Sequence, residues 1–548
     1  MAVPVTSAVV DAGDGLPLTV PALLAARAAE RGGHTLLVCD DEVLTYAEAE
    51  RRSAELAKAL LAAGAGKGTH VGLLHPNGAA FVVAWLAAAR IGAVTFPFST
   101  FSTAAELRGL LRGADIEILL GARSHRSHDH LAKLREAVPE FGATAVPALR
   151  RVALDGPDVP ADLSLAALTA GGAGIGDALL AGVEAAVRPA DRMVVVHTSG
   201  STSSPKGVVH LHGPLIRHMA NLNAIRRIDE HEVCFSNSPF FWIGGFAFVL
   251  LGTVLAGGTL VCSNAPDAAG VLDVLERTRP TLVNGFAASV AHLPADPSFA
   301  RRDLTSIRRG NLWPILPGGV RPADPELRHN MLGMTETGSV CLLSADEDDQ
   351  PEHRRGSFGR PAPGFEARVV DPVRLADCAP GETGELWLRG PFLMEGYYGR
   401  ERAEAFDADS WFHTGDLFTT DADGLFYFHG RGGEMIKTGG ANVSPREVEA
   451  AILAASGLTA HVVGVDDETR GQIVAAAVRV PAGHAPVDPD ALRAGLRSRL
   501  SAYKVPRRLL LLRDDEVPTM SSGKLDLPAL KARLAGTPDT VKDRSLEG

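Results

Sequence analysis

The sequence predicts a multidomain α/β protein, a large N-terminal part of layered strands and helices followed by a small α+β domain. Three observations carry this. The chain has 548 residues, and at roughly 100–200 residues per domain it holds several structural units. Strand-length apolar runs alternate with helix-period segments early in the chain, the order that gives sheets covered by helices. Glycines interrupt the pattern at Gly430–Gly433. They divide the chain into residues 1–430 and 431–548.

Each element follows from its local pattern. From about Leu44 to Gly64 the period is helical, with Leu56, Leu60 and Leu61 on one face and Glu48, Arg51, Arg52 and Lys58 off it. Val71–Leu74 reads as a strand, Ala79 to Ile91 as an apolar helix, and a further strand runs into Phe96-Pro97. Pro157 to Gly176 is rich in Pro, Ala and Gly and predicts a flexible surface connection. Its Gly172-Ala173-Gly174-Ile175-Gly176 run fails the dinucleotide-loop spacing, because position 177 is Asp. Beyond the glycines the expected order is a helix at Pro445–Ala454, strands at His461–Val465 and Ile473–Val478, and a helix at Asp490–Arg499.

Composition excludes several classes of function. A net charge of −11 argues against a broad electrostatic hold on nucleic acid or anionic membrane. Cys39, Cys234, Cys262, Cys341 and Cys378 form no CxxC pair, which gives no support to a disulfide framework or a zinc site. The longest apolar runs, Ala79–Ala89 and Phe246–Gly258, fall short of the ~20 residues that span a bilayer and predict buried core. Met1 to Leu18 has no basic stretch followed by an apolar one. The expectation is a cytoplasmic protein with no membrane span and no nucleic-acid partner, with monomer and homodimer both open.

The segment Val194-Val195-Val196-His197-Thr198-Ser199-Gly200-Ser201-Thr202-Ser203-Ser204-Pro205-Lys206-Gly207 carries the chemistry. A β-branched strand runs into a loop of hydroxyls and small residues that holds one lysine. Thr198, Ser199, Gly200, Ser201 and Thr202 can offer hydroxyls and backbone N–H groups to phosphates while Lys206 supplies charge. It is not a Walker A loop, since Lys206 is followed by Gly207.

This loop resembles the phosphate-binding signature of the adenylate-forming superfamily, which includes acyl-CoA synthetases, luciferases and peptide-synthetase adenylation domains. Four further segments agree in order and distance: Gly333-Met334-Thr335-Glu336, Trp411-Phe412-His413-Thr414-Gly415-Asp416-Leu417, Gly430-Arg431 through Lys437 with Gly439-Gly440, and Pro518-Thr519-Met520-Ser521-Ser522-Gly523-Lys524. With Leu44-Thr45-Tyr46 to Pro97, the resemblance covers nearly the whole chain.

The resemblance implies a fold with a β-barrel-like part in the large domain and a small domain that swivels. It implies an ATP-dependent AMP-forming ligase with Mg²⁺, and CoA as co-substrate. Gly333, Met334 and Thr335 would contact the nucleotide, with Thr335 on the α-phosphate and Glu336 on Mg²⁺. Asp416 would take the ribose hydroxyls, Arg431 would reach the nucleotide, Gly433 would be the hinge, and Gly439 and Gly440 would form the acceptor loop. Lys524 would bridge acid and phosphate. These roles suit the residue types, because a carboxylate attacking a phosphate brings two anions together and cations must offset the repulsion.

The chain departs from the pattern in places. Ser203, Leu332 and Gly433 replace the glycine, aromatic residue and polar residue that many members carry, and the adenine-side segment is reduced to Arg309-Gly310-Asn311-Leu312-Trp313-Pro314. Pro239-Phe240-Phe241-Trp242-Ile243-Gly244-Gly245-Phe246 resembles the acid-pocket segment, with Trp242 in place of histidine. No acidic residue lies in it, so an α-amino acid, whose ammonium needs a buried partner, is not the expected substrate. Trp242, Gly244, Gly245, Phe246, Gly285, Phe286 and Gly338 are the expected pocket residues, apolar and aromatic-gated. The leading expectation is activation of a fatty or aromatic acid and transfer to CoA. The alternatives are a carrier-protein or amine acceptor, activation of nitrite to diazotise an aromatic amine, and a non-catalytic nucleotide sensor.

Overall fold

The computed structural model describes residues 15–138, 145–198, 206–431, 436–438, 441–443, 445–467, 470–481, 484–497, 499–500, 504–520 and 524–537. The chain divides into two compact units. The larger takes in Ala2–Ala367 and Leu388–Phe412, the smaller Arg368–Trp387 and His413–Gly548.

Two mainly parallel sheets build the larger unit. In one, five parallel strands lie in the order Arg192–Thr198, Val94–Pro97, His70–Leu74, Ile118–Ala122 and Arg151–Asp155, and Lys206–Leu211 then Gly396–Tyr397 add antiparallel beside the first. In the other, Glu42–Thr45 pairs antiparallel with Thr35–Cys39, which continues in parallel through Thr259–Cys262, Val233–Phe235, Leu282–Val283 and Arg309–Gly310. Parallel strands need both faces covered. The helix Ala79–Arg90 supplies part of this cover: all its residues except Ala80 are buried, and it touches strands of both sheets. Its charge is satisfied, with Arg90 Nη2 on Glu50 Oε1 at 2.7 Å and Nε on Glu184, the pairing that a buried guanidinium requires. The five cysteines are free, although strand pairing sets Cys39 beside Cys262.

The helix expected from Leu44 begins at Tyr46. Leu44 belongs to the edge strand, and Thr45 closes a capping box with Glu48. The stretch Pro157–Gly176 is a correction to the sequence reading, for it is not a flexible connection. Ala161–Leu163 and Gly171–Gly174 are 3₁₀ turns around the helix Leu165–Ala170, and the segment docks on the helix Tyr46–Ala62. A Cβ on Gly172 would lie 2.5 Å from the Ala59 nitrogen, so this glycine serves close approach rather than looseness.

Further antiparallel strands pair as two sheets. Leu332–Met334, Ser339–Leu343 and Arg360–Pro361 form a three-stranded one, and Phe412–Thr420 and Phe426–Arg431 lie side by side in a five-stranded one. In the smaller unit, Ala460–Asp467 and Gly471–Val480 pair antiparallel, and Arg508–Arg513 runs parallel to the latter. Alternation sorts their side chains. Val462, Val474, Ala476 and Val478 pack with Val448, Ile452, Leu492 and Leu496 of the helices Pro445–Ser456 and Pro489–Arg497. Val463, Val465, Ile473 and Ala475 pack with Leu530 and Leu534 of Leu527–Ala535. The expected elements beyond Gly433 are present, with ends shifted by a residue or two. Among the described residues no single helix is long and apolar enough to cross a membrane.

Candidate active site

Val194, Val195 and Val196 are buried and lock the strand Arg192–Thr198 into its sheet. Thr198 and Lys206 are direct antiparallel partners, so the hydroxyl-rich loop leaves and re-enters the sheet at neighbouring positions. Ser199, Gly200, Ser201, Thr202 and Ser203 lie outside the described residues. The Lys206 ammonium rests 4.8 Å from the centroid of the Tyr397 ring.

Gly333 and Met334 sit on the strand Leu332–Met334, and Thr335–Thr337 form the 3₁₀ turn into Ser339–Leu343. The Thr337 hydroxyl donates to the Ser339 carbonyl at 2.6 Å and accepts from the Met334 nitrogen at 3.3 Å. Gly338 closes the turn at φ +69°, where a Cβ would lie 2.7 Å from Leu215 Cδ1; the turn needs glycine for both conformation and space. Thr335 and Glu336 are thereby left half-buried at the tip. Two groups hold the tip from outside. His210 Nε2–H donates to the Thr335 carbonyl at 2.7 Å, and the Met394 nitrogen donates to the Glu336 carbonyl at 2.9 Å. Burial lowers the His210 pKa to about 4, so the ring is neutral at physiological pH and carries its single proton on Nε2. The Glu336 carboxylate accepts from the Tyr397 hydroxyl at 2.9 Å, and no hydrogen bond reaches its other oxygen among the described residues.

The segment Pro239–Phe246 is clamped by Asn77, whose Nδ2 donates to the Ser238 carbonyl at 2.9 Å and whose Oδ1 accepts from the Phe240 nitrogen at 2.8 Å. Phe246 is wholly buried and edge-on to Trp85 at 5.1 Å. It is core rather than pocket lining. Gly245 is equally closed in, since a Cβ there would lie 2.1 Å from the Pro239 carbonyl oxygen, whereas nothing lies within 4 Å of one on Gly244. Trp242 is half-buried, with its ring perpendicular to Phe286 at 5.8 Å and to Phe241 at 5.7 Å. Phe286 is 60 % exposed. Gly285 takes φ +152°, and its nitrogen and carbonyl pair with Asn311 Oδ1 at 3.0 Å and Nδ2 at 2.9 Å. The shortened Arg309–Pro314 segment thus braces the glycine beside the aromatic pair.

In the smaller unit Asp416 is buried and stands opposite Arg431 in strand register. Its nitrogen donates to Thr414 Oγ1 at 3.0 Å, and that hydroxyl donates to the Leu386 carbonyl at 2.7 Å. Lys524 is exposed on a loop closed by a Thr519–Leu525 bridge and a hydrogen bond from the Met520 nitrogen to the Lys524 carbonyl at 2.7 Å. The side chain of Arg431 and the whole of Gly433, Gly439 and Gly440 lie outside the described residues.

The fold therefore gathers Thr198, Lys206, Thr335, Glu336 and Gly338 around two residues that the sequence reading missed, His210 and Tyr397. Alternation along Lys206–Leu211 puts His210 on the face of Lys206, a signal available in the sequence. Tyr397 gives no local signal, because it arrives by pairing with Val208 from far along the chain.

Comparison with known proteins places this arrangement. The sequence profile of the AMP-binding enzyme family matches residues 24–398, and that of the AMP-binding enzyme C-terminal domain matches residues 447–524. The feruloyl-CoA synthase of an Amycolatopsis species is 34 % identical over 493 residues, covering 88 % of this chain and 92 % of that protein. The fold is similar to that of the anthranilate CoA ligase AuaEII in complex with anthranoyl-AMP, with TM-score 0.78 at 22 % identity over 95 % of this chain and 98 % of the other. It is also similar to the amide bond synthetase McbA of Marinactinospora thermotolerans, with TM-score 0.75 at 24 % identity over 94 % and 99 %. The chain belongs to the AMP-binding enzyme family and is an ATP-dependent, AMP-forming ligase of its adenylate-forming CoA-ligase branch.

Proposed function

We propose that this enzyme activates an apolar aromatic carboxylic acid as its acyl-adenylate, releasing pyrophosphate, and then transfers the acyl group to CoA. The observation that carries the acid class is the pair of perpendicular rings, Trp242 and Phe286, set in a segment without a carboxylate. Such rings offer apolar faces to a flat body, and a segment without a carboxylate leaves a buried ammonium without an ionic partner. The names of feruloyl-CoA synthase and anthranilate CoA ligase point the same way for those two proteins.

In this reading Thr198, Ser199, Gly200, Ser201, Thr202 and Lys206 cradle the phosphates, and Thr335 donates to the α-phosphate. Glu336 fits a Mg²⁺ ligand, because it is a hard-oxygen donor with one oxygen unpartnered among the described residues. Mg²⁺ takes one or two carboxylates together with substrate phosphates, and among the described residues no cluster of three or more His, Cys, Asp or Glu could hold a metal alone. When bound, the ion offsets phosphate charge during attack. Asp416 accepts from the ribose hydroxyls, Arg431 reaches the nucleotide, and Lys524 bridges acid and α-phosphate. Gly433 is the hinge for the second half-reaction, in which Gly439 and Gly440 receive CoA.

The test is pyrophosphate release across a panel of acids, with amines and nitrite as separate arms, with and without CoA. Release with aromatic acids and an acyl-CoA product are expected. Release with nitrite and an aromatic amine would overturn the acid assignment, and transfer to an amine or a carrier protein in preference to CoA would overturn the acceptor.

Trp242→Ala addresses the pocket directly. Removing the indole should open room for bulkier aromatic acids, raising their kcat/KM by about 10–200-fold per methylene accommodated. A loss on small acids, nitrite included, would mark the native substrate as small. A flat profile over the series would make Trp242 a packing residue.

A further inference from the structure

We propose that Tyr397 is a positioning residue that keeps Lys206 and Glu336 apart and ready, its ring face seating the ammonium while its hydroxyl holds one carboxylate oxygen. This rests on the reading above, in which Lys206 serves phosphate and Glu336 serves Mg²⁺. A lysine and a glutamate beside the same side chain are free to close into an ion pair, and a closed pair would meet neither ligand. No ion pair joins them among the described residues.

The contact between the Tyr397 ring and Lys206 is of the kind that yields. The ammonium lies 4.8 Å from the ring centroid, within the range at which an aromatic face attracts a cation. That attraction is weaker than a charge-assisted hydrogen bond to phosphate, so incoming phosphates can take the lysine over. The hydroxyl donates to Glu336 Oε1 at 2.9 Å and leaves the second oxygen for a metal.

Strand register fixes the arrangement. Tyr397 lies directly opposite Val208, two residues from Lys206, so ring and lysine share one face of the sheet. The same short segment reaches the Glu336 turn through its backbone as well, by the bond from the Met394 nitrogen to the Glu336 carbonyl. One stretch of chain thus sets both the cation and the anion.

Two substitutions separate the two duties, read by calorimetric titration of ATP with Mg²⁺ and with EDTA beside steady-state KM and kcat. Tyr397→Phe keeps the ring. It should leave ATP affinity in EDTA within about twofold of wild type and cut the Mg²⁺ enhancement about tenfold, the loss of one hydrogen bond to a charged group. Tyr397→Leu removes both contacts, and ATP affinity in EDTA should then fall as Lys206 pairs with Glu336. Adding Glu336→Gln to Tyr397→Leu should restore that affinity, a rescue that a merely structural tyrosine would not give. An unchanged Mg²⁺ enhancement in Tyr397→Phe overturns the proposal even if Tyr397→Leu fails to fold. Failure of Glu336→Gln to restore a folded Tyr397→Leu also overturns it. Lys206→Ala and Glu336→Gln alone are the controls: normal EDTA affinity in the first, or normal Mg²⁺ enhancement in the second, overturns the underlying site reading irrespective of Tyr397.

Discussion

Lys524→Ala is expected to slow adenylate formation by roughly 10²–10⁴-fold, the range seen when electrostatic stabilisation of a transition state is lost. The carboxylate and the α-phosphate are both anionic when they meet, and a compact ammonium between them offsets charge where it concentrates. The loop that presents Lys524 is held by its backbone, through the Thr519–Leu525 bridge and the hydrogen bond between Met520 and Lys524. Truncating the exposed side chain leaves that frame intact, so stability should change by no more than about 0.5 kcal/mol. Transfer from a preformed adenylate should be nearly unaffected, because the role proposed for the lysine is confined to the first half-reaction. Single-turnover pyrophosphate release and thioester formation from synthetic adenylate measure the two steps separately. Equal damage to both would contradict a lysine confined to adenylation.

The second large effect sets two adjacent glycines against each other. Gly245→Ala places a Cβ 2.1 Å from the Pro239 carbonyl oxygen and 2.7 Å from that of Ser238. Backbone cannot step aside as a flexible side chain can, so the segment must shift, at a cost of about 3 kcal/mol. Gly244→Ala meets nothing within 4 Å and should be neutral to within about 0.5 kcal/mol. Urea denaturation checks both values. The second variant carries functional information as well. Its methyl group enters open space two residues from Trp242, so an unchanged stability with a shifted preference among bulky acids would locate the pocket mouth there. Equal stability of the two variants would contradict the packing described for Gly245.

What the sequence disclosed depended on whether the information was local. The parallel strand at Val194–Val196, the buried helix from Ala79 and the elements after Pro445 were legible because burial and period are written in neighbouring residues. Short motifs likewise pointed to Lys206, Thr335, Glu336, Asp416 and Lys524 as candidates. Glycine was where the reading misled. Gly172 reads as linker and Gly245 as pocket, yet each is a place where two backbones approach too closely for any side chain. Nothing nearby in the sequence distinguishes a glycine needed for contact from one that gives freedom. Phe246 misled in the same way, since its partner Trp85 comes from a distant helix. Tyr397 was invisible because its meaning depends on a strand pairing with Val208.

The strand Thr35–Cys39 is made early but completed late. Leu37 finds its neighbour Leu260, and Cys39 finds Cys262, so the partner strand leaves the ribosome roughly 10–45 s afterwards at 5–20 residues per second. During that interval Leu36, Leu37 and Leu44, all wholly buried in the finished protein, have no sheet to join, and the open strand edge is a template for wrong partners. This strand pair should therefore depend on chaperones until Thr259–Cys262 has emerged. Nascent chains arrested before Thr259 should be captured by holdases, and those arrested well beyond Cys262 should be released.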